Sequence, residues 1–115
     1  MGVITHLTDK NQKCLDICSR CAQACEECVT LCLGEADVRT RKKCIETLLD
    51  CAAVCRQAAA FMAKDSRFVY DLCRLCADVC ETCHSECAVF DDEHCQECAF
   101  ECKNCADECR ITAQR

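Results

Sequence analysis

The chain has 115 residues, enough for one domain with a single modest core. Nineteen residues are cysteine, four Phe, one Tyr and none Trp, so cysteine has to be the main filling of that core. A net charge of −6, with both signs scattered among the cysteines, provides no basic stripe or aromatic platform for nucleic acid, and no stretch reaches the length that crosses a membrane.

A short chain this rich in cysteine is commonly a secreted disulfide framework. Here the cysteine count is odd, Gly occurs twice and Pro not at all, whereas disulfide scaffolds are loop-rich. The leading stretch MGVITHLTDKNQK has neither an apolar run nor a small-residue cleavage site, and His6 stands where a myristoylation signal needs Ser or Thr. The expectation is a cytoplasmic protein that keeps its thiols reduced.

In chain order, the first segment, near residues 8–33, carries Cys14, Cys18, Cys21, Cys25, Cys28 and Cys32. Steps that alternate between four and three put all six on one face of a helix, as in a packed bundle. Gly34 stands where such a helix stops, and Asp37 is positioned to cap the next. That second helix, near 38–64, keeps the same beat with Cys44, Leu48, Cys51, Cys55, Ala58 and Met62. Asp65 and Ser66 separate it from a third, near 67–89, with Cys73, Cys76, Cys80, Cys83 and Cys87. Asp91 and Asp92 precede a fourth, near 93–112, with Cys95, Cys98, Cys102, Cys105 and Cys109. Short connections make sequential helices antiparallel. The predicted fold is all-α: an up-down-up-down four-helix bundle, one domain over residues 1–115, with a cysteine-lined core and a charged outer face.

Residues three and four apart on a helix are neighbours on its surface, so each C-x-x-C and C-x-x-x-C is a two-thiolate clip. Soft thiolates select Cu(I), zinc or iron–sulfur clusters. Zinc wants four ligands converging in compact knuckles, and the bacterial ferredoxin run has loop-like spacing and a following proline. This chain instead has continuous rows, spanning roughly 27 Å on the first helix at the usual rise. Cu(I) is satisfied by two or three thiolates, and one Cu⁺ per thiolate leaves a buried core near neutrality, which divalent ions at that loading would not. A single cysteine on such a face is an ordinary small hydrophobe. Nineteen on one continuous set of stripes are ligands.

With CLDICSRCAQACEECVTLC, CRLCADVCETCHSEC and CQECAFECKNCADEC all present, the chain resembles the bacterial copper storage proteins, and among them the cytosolic branch. The resemblance covers essentially the whole chain. It implies a four-helix bundle, commonly a homotetramer, whose core thiols bind many Cu(I) ions for later use or to keep them from other targets. That core role carries over to the nineteen cysteines, Cys44 being the most isolated of them.

The two ends of the bundle differ. One gathers Leu7, Met62, Val69 and Thr112 on the seam, with Phe61, Phe68 and Ile111 nearby, and reads as an apolar plug in which Met62 packs. The other gathers Cys32, Cys44, Cys87 and Cys95, with His84 and His94 beside them. Copper is expected to pass this cysteine–histidine end, with His84 and His94 as first-contact ligands, since imidazole also suits copper. His6 is given no role. No Ser–His–Asp set, phosphate loop or privileged reactive thiol pair points to an enzyme. The competing readings are a general zinc or cadmium sequestering protein and a copper chaperone, the latter usually showing one exposed CxxC.

Overall fold

Cysteine is small, so helices that meet along rows of it approach closely, and alanine on the flanking positions lets them. The computed structural model, which describes residues 2–114, is built in this way. Its helices are α1 (Gln12–Leu33), α2 (Lys42–Ala63), α3 (Val69–Cys87) and α4 (Glu93–Ala113). Each packs against its two neighbours in the ring α1–α2–α3–α4, forming a bundle of 47 × 25 × 17 Å. The direction of each helix can be read from the sulfurs. Cys14 meets Cys109, Cys21 meets Cys102 and Cys32 meets Cys95, so α1 and α4 are antiparallel. Likewise Cys44 meets Cys87, Cys51 meets Cys80 and Cys55 meets Cys76 between α2 and α3.

All nineteen cysteines are buried and unbridged. With them the core holds Leu48, Met62, Val69 and six alanines: Ala22, Ala52, Ala58, Ala77, Ala99 and Ala106. Ion pairs such as Glu26–Arg56, Arg20–Glu101 and Glu81–Arg110 bridge helices on the outer face, where exposed pairs add little to stability.

The helix starts depart from the sequence expectation in an instructive way. Residues Asp9–Asn11 and Val38–Arg41 are 3-10 turns, and the α-helices begin only at Gln12 and Lys42. A 3-10 turn has three residues per turn, so residues three apart line up. The stripe of α1 is thereby continued by Asn11 and Thr8, which are buried, while Leu7 is 53 % exposed and is not part of the plug. Arg41, three residues before Cys44 and so on the stripe in either count, is also turned inward.

Asp37 does not cap α2; it precedes the 3-10 turn and accepts a hydrogen bond from Arg41 Nε at 2.6 Å. Gly34 ends α1 with φ −88°, so its access to left-handed backbone is unused. The left-handed turn residue is Asp65, φ 52°, a conformation that aspartate tolerates. Asp92 caps α4 as expected, its Oδ1 accepting the Cys95 N–H at 3.1 Å.

Candidate metal centre

Alternation of three and four places each cysteine row on one face, and the antiparallel ring turns the four rows towards a common axis. The sulfurs then form a ladder. Cys109 Sγ lies 3.5 Å from Cys18, Cys18 3.7 Å from Cys105, Cys105 3.8 Å from Cys55, and Cys55 3.6 Å from Cys80. On the other side Cys21 is 3.8 Å from Cys102, Cys102 3.7 Å from Cys25, and Cys25 3.9 Å from Cys98. These contacts resolve into overlapping groups whose ligand atoms all lie within 4.8 Å of one another. Cys14, Cys73 and Cys109 stand at one end, then Cys18, Cys76, Cys105 and Cys109; next come Cys21, Cys55, Cys80 and Cys105, and Cys21, Cys25, Cys51 and Cys102. Because Cys21, Cys105 and Cys109 each belong to two groups, the sites are continuous rather than separate. Cys44, isolated in sequence, faces Cys87 at 3.5 Å.

A dry cluster of thiols cannot ionise all at once, since each added thiolate would be an unpaired buried charge. Protons are therefore shared unevenly. Hydrogen bonds to Cys21, Cys25, Cys51 and Cys83 hold the Cys102 thiol protonated, its pKa raised. Hydrogen bonds from Cys102, Cys21, Cys25 and Cys55 favour the thiolate of Cys51, its pKa lowered. A soft cation that replaces these protons one for one relieves the restriction, and each thiol it binds releases a proton to water.

The outermost group is different in kind. Cys28, Cys32 and Cys95 are joined there by His94, 18 % exposed, whose Nδ1 lies 3.6 Å from both Cys28 Sγ and Cys95 Sγ. Its Nε2 is 3.0 Å from Glu35 Oε1 and 3.0 Å from Asp92 Oδ1. Two carboxylates facing Nε2 require a proton on that nitrogen, and in the neutral ring Nδ1 then carries its lone pair towards the sulfurs. A carboxylate that orients a histidine in this way is the usual outer support of a metal ligand. Of the two expected histidines, then, only His94 is brought to this group. His84 Nδ1–H donates to the Ala99 carbonyl oxygen at 2.8 Å. His6 pairs with Asp9 on the surface.

Arg41 was not anticipated. Its Nη1 donates to Cys95 Sγ at 3.4 Å and Cys32 Sγ at 3.7 Å, and its Nη2 is 2.7 Å from Asp92 Oδ2. Burial opposes the charge of the guanidinium, and Asp37 and Asp92 outweigh it and hold it protonated. Burial likewise works to raise the Asp92 carboxyl, but Arg41 and Cys95 hold it down to about 2. A signal for Arg41 was present in the sequence: a charged residue on the stripe of α2, three positions before Cys44, where an apolar side chain is normal. At the opposite end Met62, Val69, Thr112, Thr8 and Asn11 close the bundle.

A family model described as copper storage protein matches residues 7–114 of the chain. No curated protein sequence matches it. Among solved structures, the Cu(I)-bound copper storage protein BsCsp3 of Bacillus subtilis is 41 % identical, with a TM-score of 0.86 over 90 % of this chain and 97 % of that one. A cytosolic copper storage protein from Streptomyces lividans, carrying five coppers, is 35 % identical with a TM-score of 0.89 over 94 % and 95 % of the two chains. The Streptomyces protein Ccsp loaded with 10 copper equivalents is 37 % identical with a TM-score of 0.85 over 89 % and 82 %.

Proposed function

Since the chain belongs to the copper storage protein family, we propose that it binds Cu(I) in number and holds it along the core as stored cargo. The observation that carries this is the sulfur ladder: nineteen buried thiols, most of them 3.5–3.9 Å from a thiol of a neighbouring helix. The nineteen cysteines, from Cys14 to Cys109, are the ligands, and residues 1–115 act as one storage domain. Spacings this short let an ion gain a new sulfur before it loses the old one, so movement inward is a series of ligand exchanges. Each Cu⁺ neutralises one thiolate, and the filled core stays close to neutral. The protein works in the cytosol, as the Streptomyces relative does, and it stores rather than catalyses.

Copper is taken up at the cysteine–histidine end. His94, with Nδ1 aimed at Cys28 and Cys95, is the first-contact ligand, and His84, bonded to Ala99, is a secondary one. Assembly into a homotetramer is part of the same reading. Its support is Phe100, 64 % exposed beside a groove between α1 and α4, and light scattering of the purified protein measures it.

Groups of four thiols within 4.8 Å also suit tetrahedral zinc, the one observation favouring a general soft-metal store. Stoichiometry separates the two. Anaerobic titration of the reduced protein with Cu(I), against a competing chelator, is expected to continue to a number of ions near the thiol count. Saturation at one or two Cu(I) ions would overturn the storage reading. Zinc, needing four thiolates each, is expected to stop at about four ions.

A further inference from the structure

Arg41 is the one buried charged side chain among the described residues, and it lies on the route that the proposed function gives to copper. Its contacts come from four directions. Nε bonds Asp37 at 2.6 Å, Nη2 meets Asp92 at 2.7 Å, and Nη1 donates to Cys95 on α4 and Cys32 on α1. The guanidinium carbon also stands 4.4 Å from the centre of the Phe90 ring. Two carboxylates and an aromatic face would suffice to bury an arginine. The bonds to sulfur are additional, and they fall on the two outermost thiols of the His94 group.

Those bonds conflict with copper binding. The sulfur lone pairs that accept Nη1–H are the ones a Cu(I)–thiolate bond needs, and guanidinium and Cu⁺ repel each other at such distances. Both cannot hold Cys32 and Cys95 together. The carboxylates, however, remain available to the guanidinium after it leaves the sulfurs.

We propose that Arg41 is a latch on the copper mouth: it ties Cys32 and Cys95 to Asp37 and Asp92, and each arriving Cu(I) displaces it from the sulfurs before passing inward. It is a positioning residue, not a ligand. It slows exchange of copper in both directions and keeps foreign electrophiles from the outer thiols, while the capacity of the core is independent of it. This inference rests on the proposed storage function for its meaning, but its first test needs no copper.

The test is a brief pulse of iodoacetamide on the metal-free, reduced protein, with labelled sites mapped by mass spectrometry, for wild type, Arg41→Met and Arg41→Lys. Removing the side chain that covers the two sulfurs is expected to raise labelling of Cys32 and Cys95 about tenfold in Arg41→Met, outweighing the loss of a charge that favours their thiolates, and less in Arg41→Lys, which keeps the charge and much of the cover. Cys51 and Cys102, deep in the core, are expected to stay unlabelled. Stopped-flow uptake of Cu(I), and its release to a chelator, are expected to quicken by a similar factor at unchanged final stoichiometry. Asp37→Asn, which releases only Nε at an exposed carboxylate, is expected to act in the same direction and more weakly, and it serves if Arg41→Met fails to fold. Equal labelling of Cys32 and Cys95 in wild type and variants overturns the latch. So does a rise that extends equally to Cys51 and Cys102, since that means Arg41 only braces the bundle. Unaltered labelling patterns together with altered copper capacity would also overturn it, whereas failure of the storage reading alone would leave the labelling result standing.

Discussion

The two ends of the bundle are made from the same helices on the same three-four stripes, yet they end in opposite chemistries. At one, Met62, Val69 and Thr112, with Asn11 from the 3-10 turn and Thr8 just before it, close the seam with side chains fully or almost fully buried. At the other the sulfurs run to the last turn, and Cys28, Cys32 and Cys95 meet His94, Glu35, Asp92 and Arg41. The first end holds no hard conflict between burial and charge. The second holds an arginine, three carboxylates and a histidine against a thiol cluster, an arrangement that costs desolvation and is stable only because every charge has a partner. A bundle needing only to stay folded has no use for that cost at one end and not at the other. The difference is between a sealed end and the polar, thiol-lined end that the proposed function gives to copper entry.

The comparison is broken most strongly at the seal. Met62→Ala removes a fully buried side chain and is expected to lower stability by about 2–5 kcal/mol, with a melting midpoint about 10–20 °C lower. Cu(I) uptake followed by ultraviolet absorbance at a temperature where the variant is folded should keep its wild-type rate. Faster uptake would show that copper also passes the sealed end.

At the mouth, His94→Ala is expected to slow Cu(I) uptake about ten- to a hundredfold, since an oriented ligand is lost. Thermal stability and final stoichiometry should be unchanged, because the thiols are intact. A matched His84→Ala variant is expected to have the smaller effect, since His84 Nδ1 is engaged with Ala99 rather than with a thiol.

The smallest expected effect sharpens the same end. Glu35→Gln leaves Asp92 as the partner of His94 Nε2 and is expected to slow uptake by about threefold, less than the usual ~10–100-fold outer-support loss because one carboxylate remains. An equal loss in Glu35→Gln and His94→Ala would mean that the carboxylate, not the imidazole, meets the ion first.

Much of this molecule was legible in its sequence. Strict alternation of three and four determined that each helix carries its cysteines on one face, and four such helices on short connections leave few arrangements besides an antiparallel ring. The nineteen thiols on those faces determined a soft-metal core, and the Asp92 cap and the sealed end around Met62, Val69 and Thr112 were visible as well. Tertiary structure decided the rest. Periodicity says which face of a helix is buried but not which side chain on the next helix it meets, so the pairing of Cys44 with Cys87, and the choice of His94 over His84 as neighbour of the thiols, waited on the packing. Helix starts were decided there too. A 3-10 turn before α1 changed the local count from three and a half residues to three, exchanging Leu7 for Thr8 at the seal, and the spacing of the cysteines contains no information about that switch; Arg41 stood on the stripe in either count, but only the packing gave it Asp37, Asp92 and the two sulfurs.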